Sequence, residues 1–419
     1  MIHWPAATVS NLALWAVAAL ATAAVIVRPG RWPEAVWAVG GALALLLCGL
    51  LPPSTALGAV LEGTDVYLFL VGMMLLSELA RREGLFDTLA GWAVRHAGGS
   101  AKRLFALVYG IGVLVTVFMS NDATAVVLTP AVYVVARRAG ARPTPYLFAC
   151  ALVANAASFV LPISNPANLV VFGAHMPPLA AWLRAFALPS LASVAATWAV
   201  LALLFRGELA EAVDHDPHVP RLSGTGRLAA LGIVGVVLAM LAASALGLSL
   251  GAPTLIASLL AIAAVQASKR EAPWALLRHV SWSVLALVAG LFVLVAGVGR
   301  TGLLAALTEV LHASADAAPR AAAWGAGTLV AFASNLMNNL PAGLIAGTAA
   351  NSGPLPDGVR SAVAIGIDLG PNLSVTGSLA TILWLTALRR EGEHVSAWQF
   401  LKVGMVAMPV ALAVALACL

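Results

Sequence analysis

Residues 118–130 read FMSNDATAVVLTP, and within them the polar cluster Ser120–Thr124 interrupts apolar sequence. No charged residue occurs in Leu104–Met119 before the cluster or in Ala125–Ala136 after it. An acid at the centre of a lone membrane helix costs at least ~2.5–3.5 kcal/mol, so Asp122 persists there only if it faces protein or water. The stretch is consistent with a hairpin tip that holds substrate or proton inside the membrane, or with an ordinary turn outside it.

The composition of the whole chain is that of a multi-pass membrane protein. Of its 419 residues, 61% are hydrophobic and 10% are charged, whereas soluble domains carry about a quarter charged residues. Cytoplasmic loops rich in Lys and Arg account for the net charge of +5 without a nucleic-acid partner. We expect a multi-pass protein of the cell inner (plasma) membrane, surrounded by the lipid bilayer and retaining its first apolar run as a helix.

Apolar runs long enough to cross about 30 Å of hydrocarbon predict the membrane spans. Two of the spans are interrupted by polar residues, and two further paired runs, near 104–136 and 321–349, are predicted to be hairpins. The short apolar run after the first tip favours hairpins that turn back inside the membrane over two full crossings. The predicted spans are 9–27, 33–51, 66–80, 146–175 (interrupted), 187–205, 228–246, 252–267, 282–298, 361–388 (interrupted) and 399–418.

The chain repeats itself at an offset of 218 residues. Repeats of this length are typical of secondary transporters. We therefore predict an all-α polytopic membrane protein with two inverted repeats, each of about five transmembrane helices plus one re-entrant hairpin, and with two discontinuous helices. The positions that carry the repeat include Gly72 and Gly290, Met119 and Met337, and Asn121 and Asn339.

Charge predicts that the two repeats have opposite orientations. Next to the first hairpin, residues 81–103 and 137–142 each carry a net charge of +3, whereas the matching segments of the second half are neutral. By the positive-inside rule, the first hairpin opens to the cytoplasm and the second to the outside. The predicted division is a first repeat at 1–206, a cytoplasmic linker at 207–227 and a second repeat at 228–419.

No metal or cofactor is predicted. The linker holds four acids and two histidines within 11 residues, but two prolines break any helical spacing of ligands, so a solvated linker is the favoured interpretation. The three cysteines are far apart in apolar runs and predict neither a disulfide framework nor a zinc site. The residues concerned are Glu208, Glu211, Asp214, His215, Asp216, Pro217, His218 and Pro220 in the linker, and Cys48, Cys150 and Cys418 elsewhere.

Three more polar clusters lie inside apolar runs and contain helix-breaking proline or glycine. Unwound backbone inside a membrane is tolerated only against protein or a wet cavity, and transporters line binding sites with it. A kinked helix satisfied by its neighbours is the alternative, but two broken spans in corresponding places predict one central site. The residues expected to bind substrate there are Ser120, Asn121, Thr124, Asn155, Ser164, Asn165, Asn168, Asn338, Asn339, Asn372, Ser374, Thr376, Gly377 and Ser378.

Asp122 and Asp368 are the only acids in these clusters, and no Lys or Arg accompanies them. A di- or tricarboxylate would need cationic or strongly donating groups, whereas two acids suit a neutral or cationic substrate. Because burial favours the protonated form of a carboxyl group, both residues are predicted to carry exchanged protons. The alternative is that each carboxylate only caps the N-terminus of a broken helix.

Three motifs carry a resemblance to a known family. They are Ser120-Asn121-Asp122, LPISNPAN at 161–168, and GIDLGPN at 366–372 followed by GSLAT at 377–381. The chain resembles, over nearly its whole length, the arsenite efflux permeases, the arsenical pump membrane proteins of the ion transporter superfamily. The resemblance implies a scaffold and a transport domain, and export of arsenite and antimonite driven by protons or, in some systems, by a soluble ATPase partner. The resemblance implies an acid near this position in many relatives, but the stretch around Asn155 has none, which argues against a third proton carrier.

The predicted function is therefore secondary active export of arsenite and antimonite from the cytoplasm in exchange for protons. Arsenite is a neutral trihydroxy species near pH 7, so Asn, Ser and Thr side chains can hydrogen-bond its hydroxyl groups. A sodium/proton antiporter of the same superfamily is the alternative, since it also needs two membrane acids, and a dicarboxylate carrier ranks lower. No zinc-protease, nucleophile-elbow or Walker A lysine motif occurs, so an enzyme is not predicted.

Overall fold

The computed structural model describes residues 8–214, 221–272 and 276–419, and helices joined by short loops make up nearly all of them. The helices of the first half are α1 (Val9–Val27), α2 (Glu34–Leu47), α3 (Pro53–Glu62), α4 (Thr64–Arg82), α5 (Leu85–Ala97), α6 (Ala101–Phe118), α7 (Asn121–Ala123), α8 (Thr129–Arg138), α9 (Thr144–Ala156), α10 (Pro166–Phe172) and α11 (Leu179–Leu204). A π-helical turn, Thr124–Leu128, joins α7 to α8.

The second half repeats this order. Its helices are α12 (Gly224–Ala245), α13 (Gly251–Lys269), α14 (Trp282–Gly299), α15 (Leu303–Ala317), α16 (Pro319–Met337), α17 (Asn339–Asn351), α18 (Asp357–Leu369), α19 (Leu379–Arg390) and α20 (Ala397–Ala417). In the described residues, seven helices are long and apolar enough to cross a membrane, or eight if α3 and α4, which meet at 46°, form one span. The predicted fold class, an all-helical polytopic membrane protein, is confirmed.

The two halves pack against each other at two glycine residues, where helices approach closely. A Cβ atom on Gly72 of α4 would lie 2.9 Å from the backbone nitrogen of Leu255 in α13. A Cβ atom on Gly290 of α14 would lie 2.7 Å from the carbonyl carbon of Ala38 in α2. Small residues allow helices to approach this closely in a membrane. Helix α4 therefore packs on α13, and α14 packs on α2, so that each half contacts the second helix of the other half. These contacts join the two halves.

The tips of the two hairpins meet, as expected of hairpins that turn back inside the membrane. The first hairpin is formed by α6 and the segment from α7 to α8, and the second by α16 and α17. The parity of the spans makes them enter from opposite faces, so two full crossings would place their tips about 30 Å apart. Instead, Asn121 and Asp122 of the first tip line the same small cavity as Asn339 and Leu340 of the second.

Besides α3, two helices that correspond to each other in the repeat occur where the sequence pattern predicts none. Residues 81–103, which the pattern marks only as charged, contain α5, and the matching segment of the second half contains α15. Helix α5 is amphipathic, with Phe86, Ala90 and Val94 buried and with Asp87 and Arg95 exposed. Each of the two helices packs against the hairpin that follows it. In each helix the charged residues of one face alternate with the apolar residues of the other, so the sequence contains no continuous apolar run long enough to predict a span.

Positive charge is concentrated on one face of the molecule, called here the basic face. By the path of the chain, all Lys and Arg residues belong to that face except Arg184, Arg300, Arg320 and Arg360. The described start of the linker holds both open ends of the first hairpin. The Val213 backbone N–H donates to the Gly99 carbonyl (3.1 Å), and that of Asp214 donates to the Ala139 carbonyl (2.8 Å).

Metal-binding groups do not gather anywhere in the described part of the chain. No cluster of three or more His, Cys, Asp or Glu residues there could hold a metal ion. The linker residues His215, Asp216 and His218 lie outside the described residues. All three cysteines are free, and Cys48 is exposed rather than buried.

Thiol labelling tests the predicted orientation. In a variant without the three native cysteines, Ser352→Cys should react with a membrane-impermeant maleimide in intact cells, because it follows the second hairpin. Thr144→Cys follows the first hairpin and should react only after permeabilisation. Both positions are exposed, so access to the reagent is decided by the side of the membrane. Equal labelling of both in intact cells would contradict the inverted orientation.

Candidate functional site

The tips of the two hairpins are built alike. Ser120 (φ 140°) and Asn338 (φ 73°) are two of the four non-glycine residues with positive φ in the described chain, and they occupy matching positions in the repeat. The Ser120 hydroxyl accepts a hydrogen bond from the backbone N–H of Ala123 (3.4 Å), and the Asn338 amide oxygen accepts one from Leu340 (3.3 Å). Such strained residues persist where the surrounding structure requires them. They start new helices at Asn121 and Asn339.

The second parts of the broken helices also begin at capped N-termini. The Asn165 side-chain oxygen accepts from the backbone N–H of Ala167 (3.0 Å), and Pro166 stands in the first turn, where its missing N–H costs nothing. In the other half, the Ser378 hydroxyl accepts from the backbone N–H of Thr381 (3.1 Å). Side chains of this type are preferred at N-caps because they satisfy free backbone donors.

All four helix starts meet at one cavity, called here the central cavity. Its volume is about 20 Å³, roughly the room that one water molecule needs. The positive ends of helix dipoles surround it, and no Lys, Arg or His lines it. The lining residues are Leu70, Asn121, Asp122, Asn165, Pro166, Val284, Asn339, Leu340, Ser378, Leu379 and Ala380.

Three polar side chains of the central cavity are available to a ligand. The Asn121 side-chain oxygen accepts from the backbone N–H of Asp122 (2.9 Å), which leaves the Asn121 amide N–H₂ free. Neither the Asp122 carboxyl group nor the side-chain amide of Asn339 has a hydrogen-bond partner among the described residues. The cavity therefore offers donors and acceptors together, as a hydroxylated ligand requires.

Asp368 lies next to this cavity but does not line it. Its side chain is fully buried at the end of α18, and the Asn165 amide N–H₂ donates to its Oδ1 atom (2.6 Å). The Oδ2 atom has no partner. Asn165 thus touches the central cavity and Asp368 at once, which makes it the only hydrogen-bonded link between them among the described residues.

Other predicted binding residues of the first half hold the unwound backbone. The Thr124 hydroxyl is paired with that of Thr116 (2.8 Å), and the Ser164 hydroxyl donates to the Val117 carbonyl (3.0 Å). The Asn168 amide N–H₂ donates to the Ser158 carbonyl (2.9 Å). The Asn168 bond satisfies a carbonyl group of the broken helix and the Ser164 bond one at the end of α6, whereas the Thr124 bond lies within the first hairpin. A contact of these side chains with substrate stays a prediction.

The second half uses Asn335 for the same task. The Ser374 hydroxyl donates to the Asn335 side-chain oxygen (2.7 Å), and the Thr376 hydroxyl donates to the Asn335 carbonyl (2.9 Å). The backbone N–H of Asn339 donates to the Gly377 carbonyl (2.8 Å). Ser374, Thr376 and Gly377 therefore fix the second hairpin tip against the broken helix instead of lining the central cavity.

Two apolar residues that line the central cavity lie outside the polar clusters, so the polar clusters do not predict them. They are Leu70 of α4 and Val284 of α14. A search for polar residues inside apolar runs passes over them. The only signal in the sequence is the repeated pair Gly72 and Gly290, which marks the same two helices as close-packed.

A larger opening, called here the vestibule, lies on the face opposite the basic face. Its volume is about 810 Å³, and Glu62, Asp65 and His175 are its titratable lining residues. Its deep end reaches Leu169 and Leu344, each within about one helical turn of the central cavity. A thin apolar layer therefore separates the vestibule from the central cavity.

Known proteins of similar sequence are membrane transporters. The family model described as "CitMHS: Citrate transporter" matches residues 14–367. The chain is 27% identical over 361 residues to an arsenical pump membrane protein of Yersinia enterocolitica, covering 83% of this chain and 84% of that one. It is 25% identical over 422 residues to a putative arsenical pump membrane protein of Bacillus subtilis strain 168, covering 94% of this chain and 95% of the relative. The predicted resemblance is confirmed.

A solved structure supports the fold. The crystal structure of the YdaH transporter of Alcanivorax borkumensis, described as having an unusual topology, aligns with a TM-score of 0.60 at 16% identity. The alignment covers 97% of each chain. At this identity the likeness concerns the fold alone.

Proposed function

The chain belongs to the family of citrate transporters, and within this family we propose that it exports arsenite and antimonite from the cytoplasm in exchange for protons. The arsenical pump relatives support this choice of substrate. The chain has no nucleotide-binding lysine motif, so ATP-driven export would require a separate soluble ATPase partner, and the proton gradient is the proposed driving force for the chain alone.

The observation that carries the proposal is the set of free polar groups in the central cavity. A neutral trihydroxy metalloid presents hydroxyl groups that donate and accept hydrogen bonds. The Asp122 carboxyl group can accept from such a hydroxyl, and the amide N–H₂ groups of Asn121 and Asn339 can donate to another. Since the cavity has room for about one water, binding requires the hairpin tips to move apart.

The charge of the cavity argues against citrate as the substrate. A tricarboxylate needs guanidinium, ammonium or strong donor groups, and the central cavity has no cationic side chain. The N-termini of four helices favour negative charge, but the carboxyl group of Asp122 stands in the first turn of one of them. Whenever Asp122 is deprotonated, the cavity contains its own anion, and it then suits a neutral ligand better than a second, multiply charged anion.

The same helix N-termini argue against sodium. A bound sodium ion needs several oxygen ligands, as other hard cations do, whereas backbone N–H groups at the starts of four helices point their positive ends at the cavity. A neutral hydroxylated ligand carries no net charge for these helix ends to repel.

Proton exchange is assigned to Asp122 and Asp368. Asp122 faces the central cavity, and Asp368 is connected to it through Asn165. No Lys or Arg lies in the polar clusters to hold either carboxyl group ionised. Protonation from the outside and release to the cytoplasm would then couple proton entry to exit of the metalloid, with the vestibule as the exit path.

Growth of a host that lacks its own arsenite pump tests the substrate. Expression of this chain should raise arsenite and antimonite tolerance several-fold over an empty vector, leave sodium tolerance unchanged, and give no saturable citrate uptake. An Asp122→Asn/Asp368→Asn variant, expressed at the same level, serves as the matched control and should resemble the empty vector. Increased sodium tolerance or citrate uptake without arsenite tolerance would contradict the proposal.

A further inference from the structure

The first parts of the two broken helices match in length, and so do the breaks that follow them. The first parts, α9 and α18, both have 13 residues. The breaks that follow, 157–165 and 370–378, are equally long and end at the N-caps Asn165 and Ser378. When the two breaks are aligned, Asn155 corresponds to Asp368. Each is the last but one residue of the first part of its broken helix.

Asn155 and Asp368 are also alike in burial and in the number of their hydrogen bonds. Both side chains have 0% exposure. Each makes one hydrogen bond to the break of the other half: the Asn155 amide N–H₂ donates to Asn372 Oδ1 (3.0 Å), as the Asn165 amide donates to Asp368 Oδ1 (2.6 Å). Each then keeps one buried oxygen without a partner, Asn155 Oδ1 and Asp368 Oδ2. The equivalence therefore extends from chain position to burial and to one hydrogen bond with the other half, in which Asn155 donates and Asp368 accepts.

We propose that Asn155 is the uncharged equivalent of Asp368 and limits the broken helices to one exchanged proton per cycle. This proposal rests on the proton-coupled export proposed above. The residue at position 155 would determine how many protons are exchanged per substrate molecule, because Asn and Asp have nearly the same shape but only Asp titrates.

The hydrogen bonds show how a carboxyl group at position 155 would take up its proton. Asn372 presents its oxygen to position 155, since its own N–H₂ donates to the Leu152 carbonyl (3.0 Å). A carboxyl group facing this oxygen fits as the protonated acid, whose O–H takes the place of the Asn155 N–H donor. The substitution therefore adds a proton-binding group without an unsatisfied donor.

The charged groups around α9 leave this position neutral. The elements packed against α9 bring two carboxyl groups towards the centre, Asp122 of α7 and Asp368 of α18. Their Lys and Arg residues lie near the helix ends, at the two faces. The nearby phenols of Tyr109 and Tyr146 donate to backbone carbonyls. Cys150 on α9 itself is buried.

The test measures the limiting arsenite gradient in proteoliposomes at several imposed pH gradients, with the membrane potential clamped. Each additional exchanged proton raises this gradient by about tenfold per pH unit. Asn155→Asp should therefore show a slope one proton steeper than the unmodified protein, and Asn155→Ser, which is polar but does not titrate, should keep the original slope.

A second variant keeps the test decisive if Asn155→Asp alone is inert. Asn155→Asp/Asp368→Asn moves the acid to the other half, and it should regain proton-driven export that Asp368→Asn lacks. An unchanged slope in an active Asn155→Asp protein would overturn the proposal, as would a double variant as inert as Asp368→Asn. If the unmodified protein shows no dependence on the pH gradient, the proposed function itself fails, whatever happens at position 155.

Discussion

Asp368→Asn should reduce proton-driven arsenite export to the level of vesicles without the protein, while the protein remains folded. Asn keeps the size of the side chain and still accepts the hydrogen bond from the Asn165 amide, but it cannot release or take up a proton. Export is measured as arsenite uptake into everted vesicles under an imposed pH gradient. Asp122→Asn, at the other proposed proton carrier, should have a similar or smaller effect.

The matched control is Asp357→Asn. Asp357 stands on the same helix as Asp368 but in its exposed first turn. Its replacement should leave export unchanged, since Asn is itself suited to a helix N-terminus. If Asp368→Asn and Asp122→Asn both exported at the unmodified rate, hydrogen bonding or capping would be the role of these acids, and proton transfer would be excluded.

Asn339→Leu should abolish net export and also the exchange of labelled for unlabelled arsenite. The Asn339 amide is free in the central cavity, and a leucine would remove its donors and fill a space of about 20 Å³. The Asp368→Asn protein should lose net export but retain this exchange, because exchange needs substrate binding without net proton movement. The two activities therefore separate a binding residue from a proton carrier.

Phe332→Leu is the control for that substitution. Phe332 lies on α16 of the same hairpin and is 48% exposed on the outer surface of the described structure. Its replacement should leave both activities near those of the unmodified protein. Normal exchange in a folded Asn339→Leu protein would contradict the assignment of Asn339 to the binding site.

The architecture could be predicted because both halves repeat their helix-breaking positions. The strained tips Ser120 and Asn338 keep the offset of 218 residues, and so do the asparagines after them. A constant offset fails in the broken helices, where it pairs Asp368 with Cys150 instead of Asn155. The structure shows why: α17 is shorter than the corresponding leg of the first hairpin, and α19 is longer than α10 by the same amount.

The residues of the site could be predicted only as a group. Asn121, Asp122, Asn165, Asn339 and Ser378 line the central cavity, whereas Asn168, Ser374 and Thr376 bond to backbone or to Asn335. A broken helix leaves backbone groups that need partners. The side chains that satisfy them are of the same types that bind a hydroxylated ligand, so composition does not separate the two roles.

The most direct test of proton-coupled metalloid export uses the purified protein in proteoliposomes. With the membrane potential clamped and the lumen made acidic, vesicles should accumulate arsenite above the outside concentration, and a protonophore should collapse this gradient. Citrate in excess should not compete. Arsenite movement that only equalises the two concentrations, whatever the pH gradient, would contradict the account, and so would accumulation of citrate in place of arsenite.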